Sequence, residues 1–122
     1  MRDILFHGKR KYTGEWAESV CPLGVMHSGH LCDDLDPDTV GQYTGRDDEK
    51  GVRIFEGHII SFKRTNALGW TTSRRGVVKY DEESTMFYVL ASTGDAWGWY
   101  EISDVQVIGN IFDNPELMEG GT

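Results

Sequence analysis

The sequence is short of cations, proline and cysteine, and it has no long apolar run. Twelve Lys and Arg stand against twenty Asp and Glu, a formal charge of −8, which disfavours binding dominated by contacts to a phosphate backbone. The deficit is uniform. Residues 1–50 and residues 51–122 each hold six basic and ten acidic side chains, so there is no basic or acidic tail. No apolar stretch approaches the ~18 residues of a membrane span, and Met1–Phe6 runs directly into Lys9, Arg10 and Lys11 with no signal-type apolar region. The expectation is a cytoplasmic protein with no membrane partner. Two cysteines are too few for a disulfide framework. G-x-S-x-G, H-E-x-x-H, Walker and Rossmann signatures are all missing, so the reading is of a non-enzyme that needs no cofactor.

What is present points to β-structure. The chain has 122 residues, 39% of them apolar, which is enough for one globular domain or one domain with a small extension. Fifteen glycines against three prolines suggest many tight turns and bulges. Runs rich in Val, Ile, Phe, Tyr and Trp recur between polar clusters, and sustained helix-period spacing is absent. Strands are expected over Ile4–Gly8, Tyr12–Val20, Thr39–Tyr43, Arg53–Lys63, Trp70–Tyr80, Met86–Ala91, Trp97–Ile102 and Val105–Ile111. In one of these, Met86, Tyr88 and Leu90 alternate with Phe87 and Val89. Arg46–Gly51 and Asp81–Ser84 read as hairpin turns. Gly57 reads as a bulge or a close backbone approach, and Asn114-Pro115-Glu116 as the start of one helical turn. Residues 21–38 read as an irregular loop. The expected division is a β-rich extension over 1–50 and a barrel-like unit over 51–122.

Several blocks together are distinctive: Met1–Phe6, Thr13-Gly14-Glu15-Trp16, Gly41–Gly45, Ile54–Ile60, Gly76–Tyr80 and Val107–Leu117. In order and spacing the chain resembles the YopX family of phage and prophage proteins along its whole length. The resemblance implies a mainly β fold with an SH3-like barrel or roll in the later part and a prophage origin. It implies no established activity and no catalytic residues. Two positions depart from the family pattern. His7 stands where Arg is usual, and His58 follows Phe-Glu-Gly where Asp is usual. Either two histidines have replaced a charge pair with a neutral, hydrogen-bonded or stacked pair, or both positions face solvent.

Other chemistry-bearing residues have ordinary readings beside sharper ones. Cys21, His27, His30 and Cys32 offer four zinc-type ligands within twelve residues, but the C-x5-H-x2-H-x-C spacing is not that of a zinc knuckle, and a reduced, metal-free loop is expected. The acidic run from Asp33 to Asp38 lacks the Gly and Glu that a calcium loop starting at Asp34 needs. Glu15, Glu56 and Glu101 are carboxylates in apolar surroundings that sequence cannot bring together; solvent-facing or turn-binding roles are expected. Trp97, Trp99 and Tyr100 form a core or interface cluster. Lys63, Arg64, Arg74, Arg75 and Lys79 form a local basic excess with no acid between Phe62 and Lys79. The resulting expectation is an interaction or assembly protein that self-associates or contacts a host or phage protein. The alternative is a small nucleic-acid-binding β-barrel in phage regulation or replication.

Overall fold

The computed structural model of the chain describes residues 5–19 and 35–118. Nine strands and short 3-10 turns make up its regular structure, with no α-helix among the described residues. The mainly β expectation holds. The strands are β1 (Phe6–Lys9), β2 (Trp16–Ser19), β3 (Gly41–Asp47), β4 (Arg53–Phe55), β5 (His58–Thr65), β6 (Thr71–Asp81), β7 (Met86–Ala91), β8 (Ala96–Gly98) and β9 (Ser103–Asn110).

They form two antiparallel sheets. The first has the order β2-β1-β3-β4 and the second β8-β7-β6-β5-β9. The second sheet curls into a half-barrel. A 3-10 turn at Trp99–Glu101 carries the chain from β8 to β9, at opposite ends of the strand order. This arrangement is consistent with the SH3-like roll expected for the later part of the chain.

Period-2 alternation builds the core. In β7 Phe87, Val89 and Ala91 are buried, while Met86 is exposed. They meet Ile60 and Phe62 of β5, Val78 of β6 and Val105 of β9, with Ile54 and Ile102 completing the cluster. Gly76 of β6 sits tight against β7, opposite Ala91. A Cβ there would press on the Val89 side chain and lie 2.8 Å from the Leu90 carbonyl oxygen, so the close strand approach depends on the missing side chain.

Two of the expected strands are broken in the structure, and the expected Thr39–Tyr43 is shifted to Gly41–Asp47. Arg53–Lys63 is not continuous, because Gly57 adopts φ +93° and turns the chain between β4 and β5. Its N–H donates to the Val78 carbonyl at 2.8 Å, and its own carbonyl accepts from Ile111 N–H at 2.9 Å. The close approach is real, but a turn takes the place of a bulge. Trp97–Ile102 likewise breaks after Gly98 into the 3-10 turn, where the Glu101 carboxylate accepts from Gly98 N–H at 2.8 Å. The expected hairpins at Arg46–Gly51 and Asp81–Ser84 are present between β3 and β4 and between β6 and β7, and Pro115–Met118 forms the short C-terminal turn.

Polar contacts fasten the two sheets together. Asp48, buried in the β3–β4 turn, accepts from Lys50 N–H and Val52 N–H on one oxygen and from Val107 N–H of β9 on the other, all at 2.9 Å. Arg46 donates to the Trp99 and Ile102 carbonyls at 3.0 and 3.2 Å. At the far end Asp113 receives Lys9, the Trp16 indole N–H at 2.9 Å and the Asn110 amide at 3.1 Å.

Candidate functional site

The first sheet presents an aromatic stripe on one face. In the β1–β2 register His7 lies opposite Glu18 and Lys9 opposite Trp16, so these four side chains share a face. Across β3 and β4, Tyr43 is paired with Phe55 and Asp47 with Arg53. His7 stacks on Phe55 with ring centroids 3.9 Å apart and planes 9° from parallel. Trp16 lies 4.5 Å from His7 on one side, and Tyr43 lies 5.5 Å from Phe55 on the other. His58, the first residue of β5, meets His7 edge-on at 5.1 Å.

A cavity of about 640 Å³ opens over this stripe, lined by His7, Trp16, Glu18, Asp47, Arg53 and His58 among others. Glu18 and Arg53 belong to the two edge strands, yet they bridge the opening with an ion pair at 2.9 Å whose side chains are 44% and 48% exposed. Asp47 accepts a hydrogen bond from the Tyr43 hydroxyl.

The two histidines are neutral at neutral pH. His7 is only 6% exposed. Burial, with a smaller contribution from neighbouring His58, pushes its pKa down to about 3. Burial also lowers His58 to about 4, against a weaker opposing pull from Asp48. His58 Nδ1 accepts from Phe55 N–H at 3.1 Å, so the neutral ring carries its proton on Nε2. The ring nitrogens of His7 have no hydrogen-bond partner among the described residues. The two departures from the family pattern therefore meet in space as a neutral, edge-to-face pair, and the solvent-facing alternative is excluded for His7. Trp16, Glu18, Asp47 and Arg53 complete the site; Trp16 falls in one of the distinctive sequence blocks, but nothing in the sequence links these four to one another. Only the alternation around His7 hints at their shared face.

The other candidates read from the sequence fall elsewhere, and Cys21, His27, His30 and Cys32 lie outside the described residues. Trp97 and Trp99 are half-buried against the second sheet's core, each with a guanidinium on its ring: Arg64 at 3.9 Å from the Trp97 centroid and Arg46 at 5.3 Å from that of Trp99. Tyr100 is 78% exposed. It borders a second cleft of about 550 Å³, with Asp81, Met86, Tyr88 and Trp97 also in its lining. Arg74 and Arg75 do not form one patch. Arg74 pairs with Phe62 and Arg75 with Ser61, so strand alternation sends them to opposite faces. Glu101 has the turn-binding role expected of it, and Glu15 is exposed.

A sequence model of the family described as YopX protein matches residues 3–119. The chain belongs to that family. No curated protein matches it.

Proposed function

We propose that this YopX-family chain is a phage- or prophage-encoded interaction module that works through protein contacts and does no chemistry of its own. The observation that carries the reading is the surface around β8. There Tyr100 and Met86 stand exposed beside the 550 Å³ cleft, and β8 pairs only with β7 among the described strands. A half-exposed aromatic cleft next to a free strand edge has the composition of a protein interface core, where Tyr, Trp and Met are enriched. A second copy of the chain is the occupant we assign to it. Light scattering over a range of concentrations is the test. Self-association is expected for the native chain and a shift to monomer for Met86→Ser/Tyr100→Ser. A native chain that stays monomeric at high concentration overturns the assignment.

A second reading rests on the β5–β6 hairpin. Its tip exposes Leu68 and Trp70, at 83% and 71%, and its strands carry Lys63, Arg64, Arg74 and Arg75. An exposed indole beside cations suits stacking on single-stranded nucleic acid. The opposite-facing Arg74 and Arg75 and the overall charge of −8 weigh against it. Titration with an oligothymidine at several salt concentrations separates the readings, because phosphate binding weakens steeply with salt.

A further inference from the structure

We infer that the cavity over the first sheet is a receptor for a guanidinium group, taking an arginine side chain presented by a partner protein. The argument begins with His7. Its ring stacks on Phe55 and the residue lines the cavity, and its ring nitrogens have no hydrogen-bond partner among the described residues yet are not among the buried unpartnered atoms, so they are open to the cavity. A neutral imidazole keeps one nitrogen as an acceptor, so the cavity offers an acceptor that awaits a donor.

The remaining lining selects the charge of that donor. Among the described residues of the lining, Glu18 and Asp47 supply two carboxylates and Arg53 supplies the one cation. With both imidazoles neutral the described lining is net negative, which disfavours phosphates and carboxylates and favours a cation. Asp47 has a second carboxylate oxygen beyond the one that accepts the Tyr43 hydroxyl. The rim already shows that a guanidinium fits, because Arg53 spans the sheet to reach Glu18 and both side chains are about half exposed. That pair is an intramolecular stand-in which an incoming arginine can displace at small cost, since exposed ion pairs contribute little to stability.

The aromatic content selects guanidinium over other cations. Planar guanidinium stacks on indole, and the chain uses this contact twice, with Arg64 on Trp97 and Arg46 on Trp99. Trp16 has no such arginine among the described residues and lines the cavity instead. The overall charge of −8 would also steer a basic partner toward the chain. The inference rests on the interaction-module reading only in that the arginine arrives on another protein. It uses a different surface from the Tyr100 cleft.

The test uses the full chain and a short blocked peptide with one central arginine, and the same peptide with citrulline, which keeps the shape and loses the charge. NMR resonances of the Trp16 indole N–H and the His7 and His58 rings are followed as peptide is added to about 10 mM, a range that covers weak single-residue binding. The arginine peptide is expected to shift these signals in saturable fashion and the citrulline peptide to leave them unmoved. Removing the competitor with Arg53→Ala should tighten binding, and Glu18→Gln/Asp47→Asn should weaken it at least about tenfold. The inference is overturned if citrulline works as well as arginine, if the double variant binds unchanged, or if Arg53→Ala shows no shift at Trp16. Light scattering on the same samples separates the two proposals. Self-association without peptide binding removes only this inference, and peptide binding by a strict monomer removes only the Tyr100 assignment.

Discussion

Acid should unfold this protein earlier than its carboxylates alone would dictate, because His7 and His58 are folded into a site that keeps them neutral. In the unfolded chain each binds a proton below about pH 6.5, whereas in the folded chain they wait until about 3 and about 4. Between those limits the unfolded state holds more protons, so stability falls as pH falls. The contribution is intact above pH 6.5 and is lost progressively down to about pH 4, where His58 begins to protonate in place. Each histidine costs about 1.4 kcal/mol per pH unit across that window, so at pH 4.5 the pair removes at most about 5 kcal/mol. Water entering the open cavity and coupling between the rings reduce this to about 2–4 kcal/mol. For a chain of this size that is a fall of roughly 10 °C in melting temperature between pH 6.5 and 4.5. The reference is His7→Phe/His58→Asn, which keeps a ring on Phe55 and an acceptor for its N–H. Asp47, Asp48, Glu18 and Arg53 surround the pair in both proteins, so their effects cancel in the comparison. Parallel melting curves for the two proteins over this window would refute the reasoning. So would imidazole NMR signals from His7 or His58 that titrate near pH 6.5 in the folded native chain.

Three further outcomes are expected. Asp48→Ala should cost about 2–4 kcal/mol in urea unfolding, since three N–H groups lose an ionised acceptor; burial raises the Asp48 pKa, but those N–H bonds outweigh it and leave the pKa lowered, so this contribution should outlast that of an ordinary carboxylate as the pH falls. Gly76→Ala should destabilise by about 1–3 kcal/mol by overpacking against Val89 and the Leu90 carbonyl, whereas Gly94→Ala, with open space around it but φ +97°, should cost about 1 kcal/mol through backbone strain alone. Elemental analysis of untagged protein should find less than about 0.1 zinc per chain, and stoichiometric zinc lost in Cys21→Ser together with stability would reverse that expectation.

Strands are legible in this sequence where one face is buried and the other is wet, because period-2 alternation is then imposed at every residue. Met86–Ala91 coincides with the observed β7 for that reason. The two segments that break where a continuous strand is expected share a cause. Arg53–Lys63 and Trp97–Ile102 are rich in apolar residues on both sides of the break, and such residues line both a strand and the turn that buries it. Only the backbone distinguishes them: φ +93° at Gly57 and a carboxylate cap from Glu101 onto Gly98. Gly57 does carry a local signal, but a glycine within an apolar run fits a bulge and a turn equally well. The expected strand Tyr12–Val20 is too long at its start, since Thr13-Gly14 turns with φ +73° at Gly14 before β2 begins at Trp16.

The site is far less legible than the fold, because its residues come from several strands and meet only after both sheets have formed. Glu18 and Arg53 are 35 residues apart, and no local pattern requires two edge strands to reach across a sheet for one another. His7 and His58 are visible only as paired departures from a family pattern; composition and spacing treat them as unrelated. Their meeting has a physical logic. A charge pair at these positions would have to be desolvated beside Phe55 and Trp16, at a cost that its attraction repays only with good geometry. Two neutral imidazoles avoid that cost, pack on the same rings, and leave polar nitrogens at the cavity wall. The charged part of the site lies outside the rings, at Glu18, Arg53 and Asp47, where water screens it and a partner can reach it. An aromatic floor, two neutral imidazoles and a half-exposed ion pair thus stand in one site, which is why pH sensitivity and cation recognition are expected from the same handful of residues.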